Sequence, residues 1–496
     1  MADDSVVATV ERVQYRPFAY LTPDNRAARI SLALLGDRHG NGQSLVEFNP
    51  LPSGAPGDAP KSKYRLCLSP EYFGSSYESS WTLGKGSVKH PVNLQLCVTR
   101  SRLLKGPFLG IISIHPRSGA FMIQNVSQHH SIEYLEAGVE LQYQEKHVLF
   151  LTRNHLRFGK LHYILEFNRE SEASFSIARA SYLREPIYND VKLPYPPLDA
   201  FPKPTHVRIG DVVIHQSISS GAFGVVRVGV HTRSGEVVAC KTIHCDRRNI
   251  ATVRSEIIIA SETARFVGVV PLIKAWCEHG NALPCRNTKI EDVHLLMPYA
   301  RYDFGSAPWS EISLSLRLTL FWQVLTGLSN LHSAGIMHRD ISPRNSLIFS
   351  LDQSAPKAAI CDFGKSKKGA RGMEILGLTM LHTFHSWRRA DPIDESGHEA
   401  VLKQLTSLRE QGHIPEELGV LLRSMLSWDP AERPTAKQAL DHGVWQGITA
   451  TAPNLKRRSS GISSEGGTAA GSGGKRMRRS DGQSPESPPG SIRGEE

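Results

Sequence analysis

The sequence contains no apolar run that approaches the length needed to cross a bilayer. It also lacks a secretory start: its first residues, MADDSVVATVERVQ, place acidic side chains where a signal would need a basic segment and an apolar core. We therefore expect a protein of the nucleus and cytoplasm. The apolar fraction of 40 % and the charged fraction of 21 % are an ordinary globular balance, and a length of 496 residues predicts more than one folded unit.

No two of the seven cysteines are spaced as Cys-x-x-Cys. That absence argues against a zinc site and against a disulfide framework, so we expect most of them to be reduced packing residues. The net charge of +10 does not require a folded nucleic-acid-binding groove either, because part of the excess lies in a basic tail. The cysteines are Cys67, Cys97, Cys240, Cys245, Cys277, Cys285 and Cys361.

Three changes in composition divide the chain. The first two are Pro-rich stretches at 49–60 and 193–204, and Pro neither continues a helix nor donates a hydrogen bond within a sheet. After about Gly447 the sequence becomes rich in Ser, Gly and Pro, with basic clusters and almost no large apolar residues. We expect residues 448–496 to form a disordered tail, because they cannot bury a core.

Between the two Pro-rich stretches the apolar residues come in short, strand-length runs without helical periodicity. The spacers hold Gly, Pro, Ser and Asn, which are typical of turns. We interpret residues 61–170 as an all-β sandwich. The strand-length runs are 93–98, 109–114, 120–124 and 147–151.

Strand-like runs at 212–214 and 225–230 open the next region, and longer helical segments follow. Within 318–331 the apolar residues recur every three or four positions, so they share one helical face. Strands before helices predict an α+β fold for residues 205–447, with a small sheet-rich lobe and a larger helical lobe. The recurring apolar residues are Leu318, Phe321, Leu325, Leu328 and Leu331.

A loop between the two strand runs contains Gly221 and Gly224. Glycines let backbone N–H groups approach phosphate oxygens, although an ordinary hairpin loop is an equally good interpretation of this motif alone. Lys241 follows on the next strand run, where alternation can point it toward the same phosphates. An inward lysine needs an acid, and Glu256 on the following helical stretch is the candidate, with Glu262 as its rival.

Two motifs with acidic residues follow the helical stretch. The first runs from His-Arg-Asp340 to Asn345, and the second is Asp362-Phe-Gly after an apolar run. Phosphoryl transfer needs a carboxylate that orients the attacking hydroxyl and oxygen ligands for Mg²⁺. A single Asp is usually a surface carboxylate, but here five elements occur together: the glycine loop, the lysine, the helix glutamate and both motifs.

This ordered set resembles the eukaryotic protein kinase family of the Ser/Thr type, over about residues 207–445. The resemblance implies a bilobal fold, ATP and Mg²⁺ as cofactors, and protein substrates. It assigns the catalytic carboxylate to Asp340 and the Mg²⁺ ligands to Asn345 and Asp362. Ser219 stands where the family has its first loop glycine. The implied ATP-binding residues are Ile218, Gly221, Gly224, Val226, Ala239, Lys241 and Glu256, with Met297 and Ala300 at the hinge.

One position departs from many Ser/Thr kinases, which place a lysine two residues after the catalytic Asp. Ser342 occupies that position here, and Arg344 lies four residues after Asp340, as in tyrosine kinases. Arg344 is therefore a candidate for the missing catalytic cation, since guanidinium suits phosphate geometry, and a solvated surface arginine is the alternative. The motif around Arg433 resembles the Ser/Thr group, so we favour Ser/Thr specificity.

The family's activation segment and Ala-Pro-Glu motif have no counterpart after Gly364, and roughly thirty residues are missing relative to the family. The next recognisable element contains Gly377, which matches a glycine of the family's buried helix. Arg433 then lacks its usual glutamate partner, and Arg339 has only Ser366 nearby as a phosphorylation site. Either the gene model has lost coding sequence or the protein does not dock peptides in the usual groove.

The segment Trp81-Thr-Leu-Gly84-Lys85 and the strand-like residues from Asn154 to Phe167 resemble the opening and closing strands of a forkhead-associated domain, a phosphothreonine-peptide reader. If this β-rich region reads phosphate, Lys85, Arg100 and Ser101 are the residues to test. A plain sandwich that docks or inhibits is the alternative. The basic clusters at 456–458 and 475–479 predict contact with import receptors, and we expect no membrane partner and no specific nucleic-acid partner.

Three functions remain open at this stage. The first is an ATP- and Mg²⁺-dependent protein Ser/Thr kinase. The second is a pseudokinase or scaffold that binds ATP and phosphopeptides without efficient turnover, and the third is a kinase-fold phosphotransferase for a small molecule. The intact catalytic motif and Arg433 favour the first.

Overall fold

The structure is a computed structural model of the 496-residue chain. It describes residues 17–36, 46–48, 64–69, 80–182, 198–221, 224–285, 290–368, 376–384 and 395–446. The predicted tail at 448–496 lies outside these ranges, so its disorder and its import signals stay predictions. Within the described ranges no helix combines the length and apolar character needed to span a membrane.

The N-terminal region is a sandwich of two mainly antiparallel sheets. The seven-stranded sheet comprises β1 (Ala19–Pro23), β2 (Val46–Phe48), β3 (Tyr64–Leu68), β8 (Ile132–Tyr134), β9 (Val139–Leu141), β11 (Arg153–Phe158) and β12 (Leu161–Phe167). The five-stranded sheet comprises β4 (Ser80–Gly84), β5 (Leu94–Gln95), β6 (Phe108–Ile114), β7 (Phe121–Asn125) and β10 (Lys146–Val148). Their orders are β2-β3-β1-β12-β11-β8-β9 and β10-β7-β6-β4-β5.

Alternation explains why these segments form strands. In β12, Leu161, Tyr163, Leu165 and Phe167 are buried while the residues between them are more exposed, as expected for a strand with one face on a core. Two helices flank the sheets, α1 (Arg26–Gly36) and α2 (Glu172–Tyr182). The sandwich begins before the predicted interval 61–170, because β1 lies between β3 and β12.

The small lobe is one antiparallel sheet with one helix. Its strands are β13 (Val207–Ile209), β14 (Val212–Gly221), β15 (Gly224–His231), β16 (Val237–Asp246), β17 (Lys274–Cys277) and β18 (Ile290–Pro298), in the order β13-β14-β15-β16-β18-β17. Helix α3 (Ile250–Thr263) follows β16 and packs the apolar residues Val253 and Ile257 against the sheet.

The larger lobe is mainly helical. Its helices are α4 (Leu314–Ser333), α5 (Leu376–His382), α6 (Glu395–Glu410), α7 (Glu416–Met425) and α8 (Ala436–Leu440). Its short strands are β19 (Tyr302–Asp303), β20 (Ile336–Met337), β21 (Ser346–Ser350), β22 (Lys357–Ile360) and β23 (Lys367–Lys368). The five apolar residues predicted to share one face of α4 are all buried. Ser313 caps this helix by accepting a hydrogen bond from the Leu316 amide.

The predicted fold class is therefore confirmed: an all-β sandwich precedes an α+β region with a sheet-rich lobe and a helical lobe. The sandwich and the small lobe share one hydrophobic core, because Val213, Val228 and Val230 belong to the same buried cluster as the sandwich residues. A backbone hydrogen bond of 2.7 Å from Val148 to the Thr232 carbonyl joins the two regions.

All seven cysteines are present as thiols, and two of them, Cys277 and Cys285, lie together. Cys277 ends β17 and Cys285 lies in the connection to β18, and their sulfurs are 3.8 Å apart. The two residues are eight positions apart in the sequence, but the hairpin folds back and brings them together. Spacing of the Cys-x-x-Cys type is therefore not needed for proximity here.

Candidate active site

The centre of the candidate site is the ammonium group of Lys241 on β16. Its Nζ lies 2.7 Å from Oε1 of Glu256 on α3 and 2.8 Å from Oδ1 of Asp362, which follows β22. The side chains of Lys241 and Glu256 are only 7 % and 5 % exposed, so the contact is almost dry. The rival acid Glu262 instead pairs with Lys368 of β23. The structure thus brings three predicted site residues together from three separate elements.

Charge pairing decides the protonation of this group. Burial alone would lower the pKa of Lys241, but the carboxylates of Glu256 and Asp362 outweigh burial and raise it. Burial likewise opposes ionisation of Asp362, yet Lys241 holds the pKa of that carboxyl below its usual value. The site therefore contains a fixed ammonium beside an ionised carboxylate, which is the arrangement needed to hold phosphates and a divalent cation.

The Asp362-Phe-Gly turn has an uncommon backbone. Asp362 has a φ of 69°, a left-handed value that Asp tolerates better than most residues. The amide of Gly364 donates to Asp362 Oδ1 at 3.3 Å, and the ring of Phe363 packs edge-on against His338 with centroids 5.4 Å apart. The turn thus fixes the direction of the Asp362 carboxylate.

The predicted catalytic loop is anchored by His338, which is fully buried. Its Nε2 donates to the Cys361 carbonyl at 2.9 Å, so the loop is tied to the residue before Asp362. Asn345 donates from Nδ2 to the backbone oxygen of Asp340 at 2.8 Å and to Oδ2 of its side chain at 3.2 Å. These bonds orient the Asp340 carboxylate and place the predicted base beside one predicted metal ligand.

The cation bonded to Asp340 was not predicted from the sequence. Lys365, the residue after the Asp362-Phe-Gly turn, donates from Nζ to Asp340 Oδ1 at 2.8 Å. Arg344, the predicted replacement for the missing lysine, has an exposed side chain on the short 3₁₀ turn that follows Ser342. The available signal was a lysine directly after the turn in a chain with a neutral Ser342, but only the folded turn brings it to Asp340.

The glycine loop is the turn between β14 and β15, and its tip, residues 222 and 223, lies outside the described ranges. Gly224 has a φ of 117°, and a Cβ there would lie 2.3 Å from the Thr242 carbonyl oxygen, so only glycine fits. A Cβ at Gly221 would meet no atom within 4 Å. Ile218 and Ser219 precede it on the exposed end of β14.

The predicted adenine-binding residues lie on neighbouring strands. Val226 of β15 pairs with Lys241 of β16, and Ala239 of β16 pairs with Met297 of β18. Ala239 is buried, whereas Met297 and Ala300 are partly exposed at the end of β18 and just beyond it. The strand order therefore puts a small apolar surface beside the hinge and next to Lys241.

The predicted Mg²⁺ ligands have the right chemistry. Asp362 offers a carboxylate, and Asn345 uses its amide nitrogen on Asp340, which leaves its amide oxygen as the ligand atom. Hard oxygen donors of this kind suit Mg²⁺, which binds through one or two protein groups plus substrate phosphates. The residues present thus fit the metal that the resemblance implies.

A short connection joins β23 to α5. Strand β23 ends at Lys368 and α5 begins at Leu376, so seven residues, 369–375, connect them, and these lie outside the described ranges. Arg433 donates to the backbone carbonyls of Ser427 (2.8 Å) and Trp428 (3.2 Å). Gly377 packs closely on α7 and its end, where a Cβ would lie 3.1 Å from Leu426 and Met425.

The N-terminal residues predicted to read phosphate lie partly together. Lys85 donates from Nζ to the Ser101 backbone oxygen at 3.4 Å, and Ser101 Oγ accepts from the Leu103 amide. Arg100 beside them is exposed. Ser366, the possible phosphorylation site near Arg339, donates from Oγ to the His338 backbone oxygen.

Comparison with known proteins finds similarity in the region that contains this site. Residues 212–388 match the family model described as the protein kinase domain. Calcium-dependent protein kinase 13 of Arabidopsis thaliana is 26 % identical over 285 residues, which are 49 % of this chain and 51 % of that protein. Mitogen-activated protein kinase kinase kinase YODA of the same plant is 24 % identical over 269 residues, 47 % of this chain and 29 % of that protein.

Serine/threonine-protein kinase dst4 of Dictyostelium discoideum is 30 % identical over 155 residues, 30 % of this chain and 28 % of that protein. The chain spans about half the length, or less, of the curated relatives that it matches. The family match covers the small lobe from β14 onward and the larger lobe as far as residue 388, and the relatives are low in identity.

Proposed function

Since residues 212–388 of this chain belong to the protein kinase family, we propose that the protein binds ATP with Mg²⁺ and transfers the γ-phosphate to a serine or threonine hydroxyl of a protein. The observation that carries the proposal is the position of Lys241 Nζ, which bridges Glu256 at 2.7 Å and Asp362 at 2.8 Å. A cation held this firmly in a nearly dry cleft can orient phosphates without rearrangement.

The residues divide the chemistry among them. Lys241 and the backbone of the glycine loop would hold the phosphates, and Asn345 and Asp362 would hold Mg²⁺, which would neutralise developing negative charge. Asp340 accepts the proton of the attacking hydroxyl. The hydroxyl oxygen bonds to the γ-phosphorus while the bond from that phosphorus to the leaving ADP breaks. Helix α3 contributes through Glu256, which positions Lys241.

Lys365 supplies the cation that Ser342 lacks. Its Nζ lies 2.8 Å from Asp340 Oδ1, and its side chain is 47 % exposed, so it can contact both Asp340 and an incoming phosphate. Arg344 is the competing source, and its exposed position leaves Lys365 as the better placed cation. The role of Lys365 is that of a positioning residue, because it orients the carboxylate of Asp340.

Peptide docking is the step of the proposed function that this chain supports least. Seven residues between β23 and α5 replace a platform that normally holds the peptide hydroxyl in line with the γ-phosphate. Catalysis of this type is mostly positioning, so we expect Mg²⁺-ATP binding to be retained and phosphorylation of generic proteins to be poor. This expectation overlaps with the pseudokinase alternative, and turnover separates the two.

The test compares the chain as given with a variant that carries a family-type activation segment between Arg371 and Gly372. Both should bind Mg²⁺-ATP in calorimetry, and only the second should phosphorylate a generic protein at a high rate. Asp340→Asn in each background is the matched control and should remove the transfer. Absence of Mg²⁺-dependent ATP binding in both would refute the proposal. Binding without any transfer in either would favour the scaffold alternative.

We also propose a phosphothreonine-peptide site on the sandwich. Its support is the contact of Lys85 with the Ser101 backbone, which gathers basic and hydroxyl side chains at the loops of one sheet end. Binding of phosphothreonine and unphosphorylated versions of a degenerate peptide library would be compared for the full chain and for Lys85→Ala. Equal binding of both libraries would reject the site.

A further inference from the structure

Four metal-ligating side chains meet where β17 turns toward β18. The ligand atoms of Cys277, His279, Cys285 and Glu291 all lie within 4.8 Å of one another. The two sulfurs are 3.8 Å apart, and His279 Nδ1 is 3.1 Å from Glu291 Oε2. Sequence spacing hides this group, because the ligands are spread over two strands and the connection between them.

Two of the six separations between the ligand atoms are close to those expected around a tetrahedral ion. With Zn–S bonds of about 2.3 Å, tetrahedral geometry sets two sulfurs about 3.8 Å apart. With Zn–N and Zn–O bonds of about 2.0 Å, it sets a nitrogen and an oxygen about 3.3 Å apart. The observed 3.8 Å and 3.1 Å are close to both values.

We propose that this group is a structural zinc site with Cys277 Sγ, Cys285 Sγ, His279 Nδ1 and Glu291 as its four ligands. Two thiolates, an imidazole and a carboxylate are ligand types that Zn²⁺ accepts, and four protein ligands leave no open position for substrate. Binding releases the two thiol protons to solvent, and no change of oxidation state is involved.

The surroundings suit a metal that enters from solvent and is then enclosed. Cys277 and Glu291 are buried, whereas the His279 side chain is 54 % exposed and forms the outer wall. Asn281 donates from Nδ2 to Cys285 Sγ at 3.1 Å, a contact that supports a thiolate. Gly280, with a φ of 79°, makes the tight turn that returns His279 to the cluster.

A second group of potential ligands lacks these features. Asp199, His206 and His215 also converge, but the Lys203 ammonium already occupies the Asp199 carboxylate. The Asp199 amide also donates to His215 Nδ1 at 3.2 Å. The Cys277 group contains two sulfurs, whereas this second group contains none.

The metal site is positioned to stabilise α3. Arg254 of this helix donates to the Pro284 carbonyl, next to Cys285, and Val253 and Ile257 pack in the same apolar cluster as Cys277. Because α3 carries Glu256, a fixed connection between β17 and β18 would support the bond to Lys241. This consequence rests on the proposed function, whereas metal binding itself does not.

The experiment measures zinc in the full chain, purified under reducing conditions and without added chelator. We expect about one zinc per chain by mass spectrometry of the metal, and at least a tenfold lower content in the double variant Cys277→Ser/Cys285→Ser. Cys240→Ser is the matched control, since Cys240 is also a buried cysteine of the small lobe and lies outside the ligand group. It should retain the metal.

Because replacing buried cysteines can unfold the lobe, a second variant uses the exposed ligand. His279→Gln should remain folded and should bind Co²⁺ at least about tenfold more weakly than the parent chain, with an altered visible cobalt spectrum. In the parent chain Co²⁺ should give a thiolate-to-metal absorption band. The site is refuted if a folded chain with reduced thiols contains no zinc and gives no such band. It is also refuted if the purified chain contains a Cys277–Cys285 disulfide in place of the metal. Unchanged zinc content in the double serine variant also refutes it.

Discussion

On the nucleotide side of the cleft one ammonium group bridges two carboxylates, whereas on the substrate side seven residues join β23 to α5 and Arg433 bonds to backbone carbonyls. The first side is assembled from β16, α3 and the Asp362 turn. The second contains the loop with Asp340 and Asn345 and a seven-residue connection. Under the proposed function, nucleotide binding and peptide docking would be separate tasks of these two sides.

The two lysine–carboxylate contacts illustrate the same difference. The side chains of Lys241 and Glu256 are 7 % and 5 % exposed, but those of Lys365 and Asp340 are 47 % and 28 % exposed. Water screens the second pair, so its contribution to stability is small, while removal of one partner from the first leaves a buried charge. The buried pair therefore holds its geometry more rigidly than the exposed pair does.

The largest effect is expected at the two aspartates, and it would sharpen the division between the sides. Asp340→Asn should lower turnover by about 10²–10⁴-fold, because a positioned general base is lost, while ATP affinity is largely unchanged. Asp362→Asn should also impair Mg²⁺-dependent ATP binding, since a metal ligand is lost. ATP hydrolysis, peptide phosphorylation and calorimetry with and without Mg²⁺ check this. Identical profiles for the two variants would break the division.

Lys241→Met should lower phosphotransfer by about 10²–10³-fold and weaken Mg²⁺-ATP binding, because an aligned cation in a dry cleft is removed. The matched control is Lys365→Met, the same change on the exposed pair, which should leave nucleotide affinity nearly unchanged. The measurement is calorimetric affinity together with the nucleotide-induced thermal shift. Equal losses of affinity in both variants would show that the two sides are not separate.

A smaller effect is expected for turnover in Lys365→Met. Loss of a solvent-screened ion pair, about 0.2–1 kcal/mol, corresponds to roughly 1.5–5-fold in rate. The variant Ser342→Lys/Lys365→Met should recover most of it, since it returns a lysine to the position that many Ser/Thr kinases use. Arg344→Met is the comparison, and a larger loss there than in Lys365→Met would make Arg344 the functional cation.

Much of the nucleotide side could be predicted because its residues occur in linear motifs. Lys241, Asp340, Asn345 and Asp362 were predicted in this way, and the structure brings Lys241 to Asp362 and Asn345 to Asp340. Glu256 and Glu262 could not be separated with certainty, because both lie on one helix, and only its packing turns Glu256 toward Lys241. Lys365 was missed, since its contact depends on how the chain turns after Gly364.

Strand pairing between distant parts of the sequence was the second feature that could not be predicted. Strand β1 pairs with β12 more than a hundred residues away, which no local pattern reveals. The Cys277–Cys285 contact was missed for a related reason, since the hairpin register and not the sequence spacing sets it. The strand character of the sandwich and the buried face of α4 were predictable, because each follows from the local periodicity of apolar residues in the sequence.

The smallest effect concerns stability on the helical side. Ser313→Ala removes the side chain that caps α4 and should lower the free energy of unfolding by about 1 kcal/mol. ATP affinity should not change, because the capped end lies outside the nucleotide site. Thermal unfolding and calorimetry provide the measurement. A parallel loss of ATP affinity would mean that general destabilisation, and not a missing contact, explains reduced binding in other variants.

The core shared by the sandwich and the small lobe bears on how this protein can be handled and how it can evolve. Val213, Val228 and Val230 are covered by sandwich residues, so a fragment cut at the sequence boundary near residue 205 would present bare apolar strands to water. Such a fragment is a poor choice for expression. The shared core also restricts recombination, because any other domain joined to the small lobe must cover these strands with a matching apolar surface.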